Sequence, residues 1–446
     1  MTGVILSDCD VAIVGAGPGG LFAGWELKDF DLDVVIVDKG KEPLERESVN
    51  CGVGGAGAFS DGKLNLTSEI GGDPKTFNRS PEEVSELIDT IEDVLVKFGA
   101  PEENKKPSGE GLEELERKAR EAGVEFIAAE QKHTGTDKLR DVMDNFYNHL
   151  VENGIDFRLE EEVEDIEEEN GNFLLTTDKG TIESEHIIVS PGRAGAYWLR
   201  DQAQELGIEN HYGPIDIGVR VEFPDEVYDP VKEVMYDAKF RMYTQTYDDF
   251  VRTFCTNPSG FVSKEKYDNF TLVNGHATGD KKTSNTNFAI LDRTVLTNPI
   301  EDTTEYGRGV ASLANLLGGG RPIVQRLKDL RRGQRSTWDR IERSEVEPTL
   351  KDVTPGDISM ALPQRVVTNI LEAIERLDNI MPGLDTGGTL IYAPEIKFYD
   401  TKYEVDKWME TNHEGLFVAG DASGHSRGIV FAGVTGMLAA QGVERK

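Results

Sequence analysis

The chain has 446 residues, with 82 acidic against 48 basic side chains and a formal net charge of −34 at pH 7. That length is too great for one simple core and predicts two lobes, while the negative excess disfavours nucleic acid and anionic membranes as partners because both would repel it. No apolar run approaches the roughly 20 residues that span a bilayer, residues 1–7 are too short for a signal peptide, and Cys9, Cys51 and Cys255 form no C-x-x-C pair. The expectation is a cytoplasmic protein with no membrane insertion, no disulfide framework and no metal site, its oligomeric state left open.

The first predicted element is a strand at 10–14 that runs into Gly15-Ala16-Gly17-Pro18-Gly19-Gly20 and opens a helix; a second apolar run ends on Asp38. This is the G-x-G-x-x-G dinucleotide fingerprint in its β-α-β context, and it predicts a bound ADP moiety. Gly15 permits the tight turn out of the strand, Gly17 lets the backbone approach a pyrophosphate, and Gly20 lets helix and sheet pack closely. The helix then directs its free N–H groups and positive dipole end at the phosphates. Asp38 is expected to accept hydrogen bonds from the ribose hydroxyls, with Lys39 beside it.

Residues 50–63 are too rich in glycine for a regular element and read as a loop lying on the ligand. Val84, Leu87, Ile88, Ile91, Val94, Leu95 and Phe98 recur at helical spacing, which predicts an amphipathic helix started by Ser80-Pro81 and stopped by Gly99. A further helix is expected at 137–152, then short strands around Phe157, Phe173 and Ile182 as a small meander, leading to a buried strand at 186–189 and the turn Ser190-Pro191-Gly192. Strands at 217–221 and 270–273 and helices at 310–317 and 364–377 belong to a predicted second lobe. Gly415 to Asp421 reads as a buried strand ending in Gly420-Asp421, followed by a helix at 427–442. Such a strand and helix complete a dinucleotide-binding sheet. The expected fold is therefore α/β: a discontinuous Rossmann-like nucleotide domain at 1–215 and 385–446, containing a β-meander, with an α+β substrate or cap domain inserted at 216–384.

The fingerprint with Asp38, the Ser190-Pro191-Gly192 turn and the Gly415 to Asp421 segment together resemble the FAD-binding domain of glutathione-reductase-type flavoproteins. In that fold the Asp of the Gly-Asp motif, here Asp421, bonds the ribityl and pyrophosphate side of FAD. More narrowly, the segments 50–64, 133–139, 392–399 and 426–429 resemble the largely uncharacterised FAD-dependent dehydrogenase family. The resemblance implies a flavin-binding lobe, an inserted substrate lobe and oxidoreductase chemistry. It breaks at 253–260, where Thr256-Asn257 and Ser259 stand in place of a second Cys and a Gly found in relatives, so a paired-thiol redox site is not expected there.

A flavin carries the hydride chemistry and the protein must hold it and place a reactant over its face. The cofactor-binding candidates are Gly15, Gly17, Pro18, Gly19, Gly20, Asp38, Lys39, Gly54, Gly55, Ala56, Gly192, Gly420, Asp421, Gly428 and Ile429. Backbone N–H groups at Gly428 and Ile429 are placed to face the pyrimidine edge of the flavin. Among catalytic candidates, His425 has the near-neutral pKa of an acid/base group. Arg427 either adds positive charge near the flavin or bonds a loop carbonyl, and Lys63 either reaches the flavin or closes its own loop. Cys51, in the loop expected over the flavin ring, reads either as a small buried residue or as a redox or charge-transfer thiol, and Cys255 has the same two readings; His133 reads as loop packing or capping support. Arg220, Glu395 and Lys397 are candidates to line an interlobe cleft. No second complete G-x-G-x-x-G occurs, so NADH or NADPH, if it is the donor, must visit the open flavin face and leave.

The reading that follows is a non-covalent FAD-dependent dehydrogenase or reductase of an unidentified small organic substrate. Its alternatives are an isoprenoid or lipid double-bond reductase, and a non-catalytic flavin-binding protein that responds to redox state. The carboxylate excess also predicts adaptation to a high-salt interior, where self-repulsion is screened. Dialysis into dilute buffer is expected to abolish fold or activity, followed by circular dichroism; full structure in low salt contradicts the adaptation.

Overall fold

The computed structural model describes residues 5–49, 51–60, 62–104, 106–267, 269–277, 281–295, 297, 301–398 and 401–446. Asn50, Asp61 and Tyr399, which belong to the resembling segments, lie outside the described residues. The chain forms two compact units, Met1–Asn104 with Glu130–Gly213 and Asp400–Lys446, and Lys105–Ala129 with Pro214–Tyr399.

The division expected at 216–384 is corrected on both sides. The second unit keeps Leu390–Lys397, an interior strand hydrogen-bonded between Ile215–Pro224 and Ile323–Arg326, and recruits Glu125–Ile127 as the edge strand beside Lys239–Tyr243. Strands of three to eight residues carry too little pattern to declare which sheet they join.

In the first unit, Asp156–Leu159, Val34–Asp38, Ile5–Val14, Gly180–Val189 and Leu416–Val418 run parallel in that spatial order. Val163–Glu169 and Asn172–Thr177 continue from Gly180–Val189 as an antiparallel meander. The strand around Phe157, expected in that meander, instead extends the parallel sheet beyond Val34–Asp38. Buried Val11, Ile13, Val34 and Ile36 face one core and Ala12, Val14, Val35 and Val37 another, as parallel strands covered on both faces require.

Two helices, Pro18–Leu27 and Ile429–Val443, are apolar nearly all round, and the second is buried along almost its whole length. Their contact depends on missing side chains. A Cβ on Gly436 would lie 2.0 Å from the Gly19 carbonyl oxygen, and one on Gly20 would lie 2.0 Å from that of Gly15. The amphipathic helix is Pro81–Lys97, capped by a reciprocal Ser80/Glu83 box and followed by Gly99 at φ +113°. The next is Thr136–Glu152. The glycine-rich stretch expected as irregular loop contains a short 3₁₀ turn, Gly55–Phe59, before Lys63–Asn65 pairs with Gln131–His133.

The second unit is built on an eight-stranded sheet: Thr354–Pro355, Ile323–Arg326, Leu390–Lys397, Ile215–Pro224, Asn285–Thr294, Phe250–Asn257, Lys239–Tyr243 and Glu125–Ile127. The central strand Ile215–Pro224 alternates strictly. Ile217, Val219, Val221 and Phe223 occupy one face, while Asp216, Gly218, Arg220 and Glu222 occupy the other, and all are buried. The predicted helices are Thr303–Gly318 and Gln364–Asp378.

Gly436→Ala is expected to lower stability by roughly 1–3 kcal/mol through overpacking against the Gly19 carbonyl. Gly309→Ala, on an exposed helix face where a Cβ meets nothing within 4 Å, is expected to be neutral or to stabilise by about 0.4–1 kcal/mol. Thermal melts in high salt check the pair, and equal losses would contradict the close approach.

Candidate functional site

The parallel sheet of the first unit reverses direction of strand order at Ile5–Val14, whose carboxyl end carries Gly15, and in open α/β sheets that is where ligands bind. Gly15 has φ +99°, and a Cβ there would lie 2.4 Å from the Ser190 carbonyl oxygen. The Ser190 N–H donates to the Val14 carbonyl (2.8 Å) and its hydroxyl to the Gly15 carbonyl (3.2 Å). The fingerprint turn and the Ser190-Pro191-Gly192 turn are thereby locked together.

The Gly420-Asp421 turn arrives on the same edge. The Ala419 N–H donates to the Val189 carbonyl at 3.0 Å, and a Cβ on Gly19 would lie 3.2 Å from the Gly420 nitrogen. Neither the helix Pro18–Leu27, whose N-cap is Gly17, nor Ile429–Val443, whose N-cap is Gly428, has a side-chain cap. Both helices thus begin on this edge with backbone donors that no side chain caps. Gly192 and Gly428 have positive φ and face open space, since a Cβ on either meets nothing within 4 Å. These bare glycine turns and uncapped helix starts fit a dinucleotide pyrophosphate.

Gly54, Gly55 and Ala56 lie directly against the fingerprint. The Gly54 N–H donates to the Ala16 carbonyl at 2.8 Å, and a Cβ on Gly55 would be 3.1 Å from the Gly17 Cα. Holding this loop is Arg46, 4% exposed, which the sequence reading missed. Its guanidinium donates to the carbonyls of Ser48, Val49, Gly52, Val53 and Gly55 at 2.6–3.2 Å. An arginine flanked by Glu45 and Glu47 reads as an exposed charge, and only the tertiary fold turns it inward. The second residue missed is Thr435, the hydroxyl within an apolar helix, which accepts the Gly420 N–H at 2.9 Å.

Asp38 has a structural job in addition to the one expected. One carboxylate oxygen accepts from the Ala16 N–H (2.9 Å) and the other from the Gly40 and Gly52 N–H groups (2.8 Å each). The carboxylate latches the fingerprint to the glycine-rich loop. Lys39 pairs with Glu162 at 2.9 Å, both side chains about half-exposed. Asp421 accepts from the Ser426 hydroxyl (3.1 Å) and from the Gly428 N–H (3.2 Å), which removes Gly428 from the free donors and leaves Ile429 as the first.

The catalytic expectations are corrected in the same way. His425 is 4% exposed; its Nε2 donates to the Tyr403 carbonyl at 2.8 Å and its Nδ1 meets the Thr76 hydroxyl at 2.9 Å. A carbonyl only accepts, so the proton sits on Nε2 and Nδ1 accepts. Burial pushes its pKa down to about 4, leaving a neutral packing residue rather than an acid/base group. Arg427 takes the second of its two expected roles, donating to the Asp421 and Ser426 carbonyls at 2.8 and 2.7 Å. Lys63 is half-buried, in register with exposed His133. Cys51 and Cys255 are both half-exposed, against their reading as small buried residues, and Cys9 is the buried thiol, pushed up to about 11 by burial.

In the second unit Arg220 and Glu395 are wholly buried and bonded to each other at two 2.7 Å contacts. Burial opposes ionisation of Glu395, but Arg220 and Lys397 outweigh it and hold the carboxyl below its usual range. Gly275 makes room for this guanidinium: a Cβ there would lie 2.2 Å from Arg220 Nη1. Glu222, buried beside Tyr392, Thr349 and Asn285, is pushed up by burial.

Residues 214–397 match the family model described as "FAD-dependent protein, C-terminal domain-like". An uncharacterized protein of Clostridium beijerinckii is 26% identical, covering 97% of this chain and 80% of its own. Among solved structures, a glycine oxidase from Geobacillus kaustophilus aligns over 98% of this chain and 95% of its own with a TM-score of 0.40 and 16% identity. A flavoprotein/dehydrogenase from Cytophaga hutchinsonii aligns over 98% and 78% with a TM-score of 0.43 and 12% identity. Scores of that size carry no argument about chemistry. The family match shows that residues 214–397 are similar to the C-terminal domain of FAD-dependent proteins.

Because His425 is neutral in the fold and protonates near 6.5 when unfolded, the unfolded state binds the extra proton between those values. Its contribution to stability is complete above about pH 6.5 and is lost as the pH falls toward 4. His425→Gln is expected to flatten the stability profile across that window in denaturant melts, and a wild-type-like slope in the variant would contradict the assignment.

Proposed function

We propose that the chain is an FAD-dependent oxidoreductase that holds its flavin without a covalent link and moves hydride to or from a small organic substrate. The observation that carries this is the meeting of the fingerprint turn with the Gly420-Asp421 turn, backbone against backbone, beside two uncapped helix starts. The family match of the second unit supports it independently. When bound, FAD supplies the hydride chemistry.

The chain's own residues bind and orient. Gly17, Gly19 and Gly20, with Pro18 setting the first helical turn, offer backbone donors to the pyrophosphate, while Gly15, whose N–H donates to the Val37 carbonyl at 2.8 Å, makes the tight turn. Gly192 and Gly420 keep the edge free of side chains, and the Ile429 N–H is the donor for the flavin's pyrimidine edge. Arg46 and Asp38 fix the loop through Gly54, Gly55 and Ala56 over the fingerprint, excluding water from that side. Asp421, tied to the start of the last helix, orders the donor that follows it. NADH or NADPH is the candidate transient donor, and the setting is cytoplasmic.

Protein purified in molar KCl is expected to be yellow, with an oxidised-flavin band at about 450 nm, and Arg46→Met to retain less flavin because its loop carbonyls lose their donors. Anaerobic bleaching by NADH or NADPH identifies the donor. A colourless protein that takes up no added FAD overturns the reading, and a yellow one that no reductant bleaches would favour the non-catalytic alternative.

A further inference from the structure

The longest run of the chain without an aspartate or glutamate is 306–328, in a protein whose net charge is −34. A run of similar length, 422–443, carries the last helix, which is buried along almost its whole length and has no room for carboxylates. The run at 306–328 is different, because it holds most of the helix Thr303–Gly318 and one side of that helix is exposed. Leu313, Leu316 and Leu317 are 43%, 78% and 40% accessible, and Leu316 is the most exposed large apolar side chain among the described residues. Single exposed leucines are ordinary; three within two turns of one helix make a patch.

Gly309, one turn before Leu313, is an independent sign that something approaches this side. A Cβ there meets nothing within 4 Å, so no neighbour among the described residues requires a glycine. In a helix interior glycine costs about 1 kcal/mol relative to alanine, and close approach from outside the chain gives it a use.

The same helix is its own antiparallel complement. With a two-fold axis at Leu313, residues equally far before and after it face each other in two copies. Leu313 then meets Leu313, and Leu316 and Leu317 of one copy lie over Gly309 of the other, filling the space its missing side chain leaves. Glu305, in the first helical turn, faces Arg321 of the second copy, while Arg308 faces the Gly318-Gly319 helix end, whose terminal carbonyls attract a cation. Arg321 is exposed and its own carboxylate, Asp352, stands 3.9 Å away and also holds Lys264. No like charges meet in this arrangement, whereas acid would face acid over most other surfaces of two copies. We propose that the chain pairs with a second copy of itself through this face, the two Thr303–Gly318 helices lying antiparallel about Leu313. A single helix pair is a small interface beside the roughly 1,200 Å² or more of stable complexes, so the pair is expected to dissociate at micromolar concentrations.

The test is sedimentation equilibrium of the full-length protein in molar KCl over about 1–100 μM, where the mass is expected to rise from one chain to two. Leu313→Glu and Leu316→Glu, at exposed positions that leave the circular dichroism unchanged, are each expected to weaken pairing by about tenfold or more. Val151→Glu, at an exposed valine of the first unit, leaves it intact. Glu305→Arg and Arg321→Glu each weaken pairing, and an equimolar mixture of the two restores it, because each reversed charge then faces its opposite; covered by the interface, these charges are screened less than free ones. A monomer across the whole range overturns the pairing, and its sedimentation with phosphatidylserine vesicles would give the patch to a membrane instead. A dimer indifferent to the leucine variants, or a mixture of charge-reversed chains that pairs no better than either alone, overturns it as well.

Discussion

Everything at the candidate site depends on backbone meeting backbone without side chains between. The Gly19 carbonyl lies where a Cβ on Gly436 would sit, the Gly15 carbonyl where one on Gly20 would sit, and the Ser190 carbonyl where one on Gly15 would sit. Any larger residue at these points separates the two apolar helices or opens the turn. With glycine there, three turns distant in the chain converge on the carboxyl edge of one sheet. The two uncapped helix starts then share that edge, each with the positive end of its dipole.

Around this convergence, charged residues act as clamps. Asp38 closes the fingerprint onto the glycine-rich loop with three backbone donors, Arg46 gathers five carbonyls of that loop, and Asp421 ties down the start of the last helix. A polar loop over a ligand site has few apolar contacts to define its shape, so charge-assisted hydrogen bonds to the backbone define it instead. The second unit uses the same device in its interior, where Arg220 and Glu395 neutralise each other under complete burial and Gly275 gives the guanidinium room. Removing either partner would leave an uncompensated buried charge.

His425 shows why sequence position misleads about chemistry. It sits between a Gly-Asp turn and the start of a helix, where an acid/base group is expected, yet Tyr403, Thr76 and Phe77 enclose it and burial keeps it neutral. The three contacts come from segments far away in the chain, and no local pattern announces them. Arg427, left with two roles by the sequence, takes the carbonyl-bonding one for the same reason: a cation's role is set by which carboxylate or carbonyl the fold brings to it.

Local sequence pattern specifies the nucleotide-binding frame: the strand–turn–helix of the fingerprint, the amphipathic helix begun by Ser80-Pro81 and stopped by Gly99, the final strand and helix, and the two-lobed α/β class. Those features are written in local periodicity and in glycine spacing, which act over a few residues and need no partner to be read. The packed fold alone settles that Leu390–Lys397 and Glu125–Ile127 belong to the second sheet, that Asp38 and Arg46 clamp a loop, and that Arg252, Lys239 and Lys397 meet at the ring of Phe254 from three different strands. Each of these depends on which distant strand or carbonyl a residue meets, and hydrogen-bond register and charge pairing across the chain are settled by the packed fold, not by the neighbours in sequence.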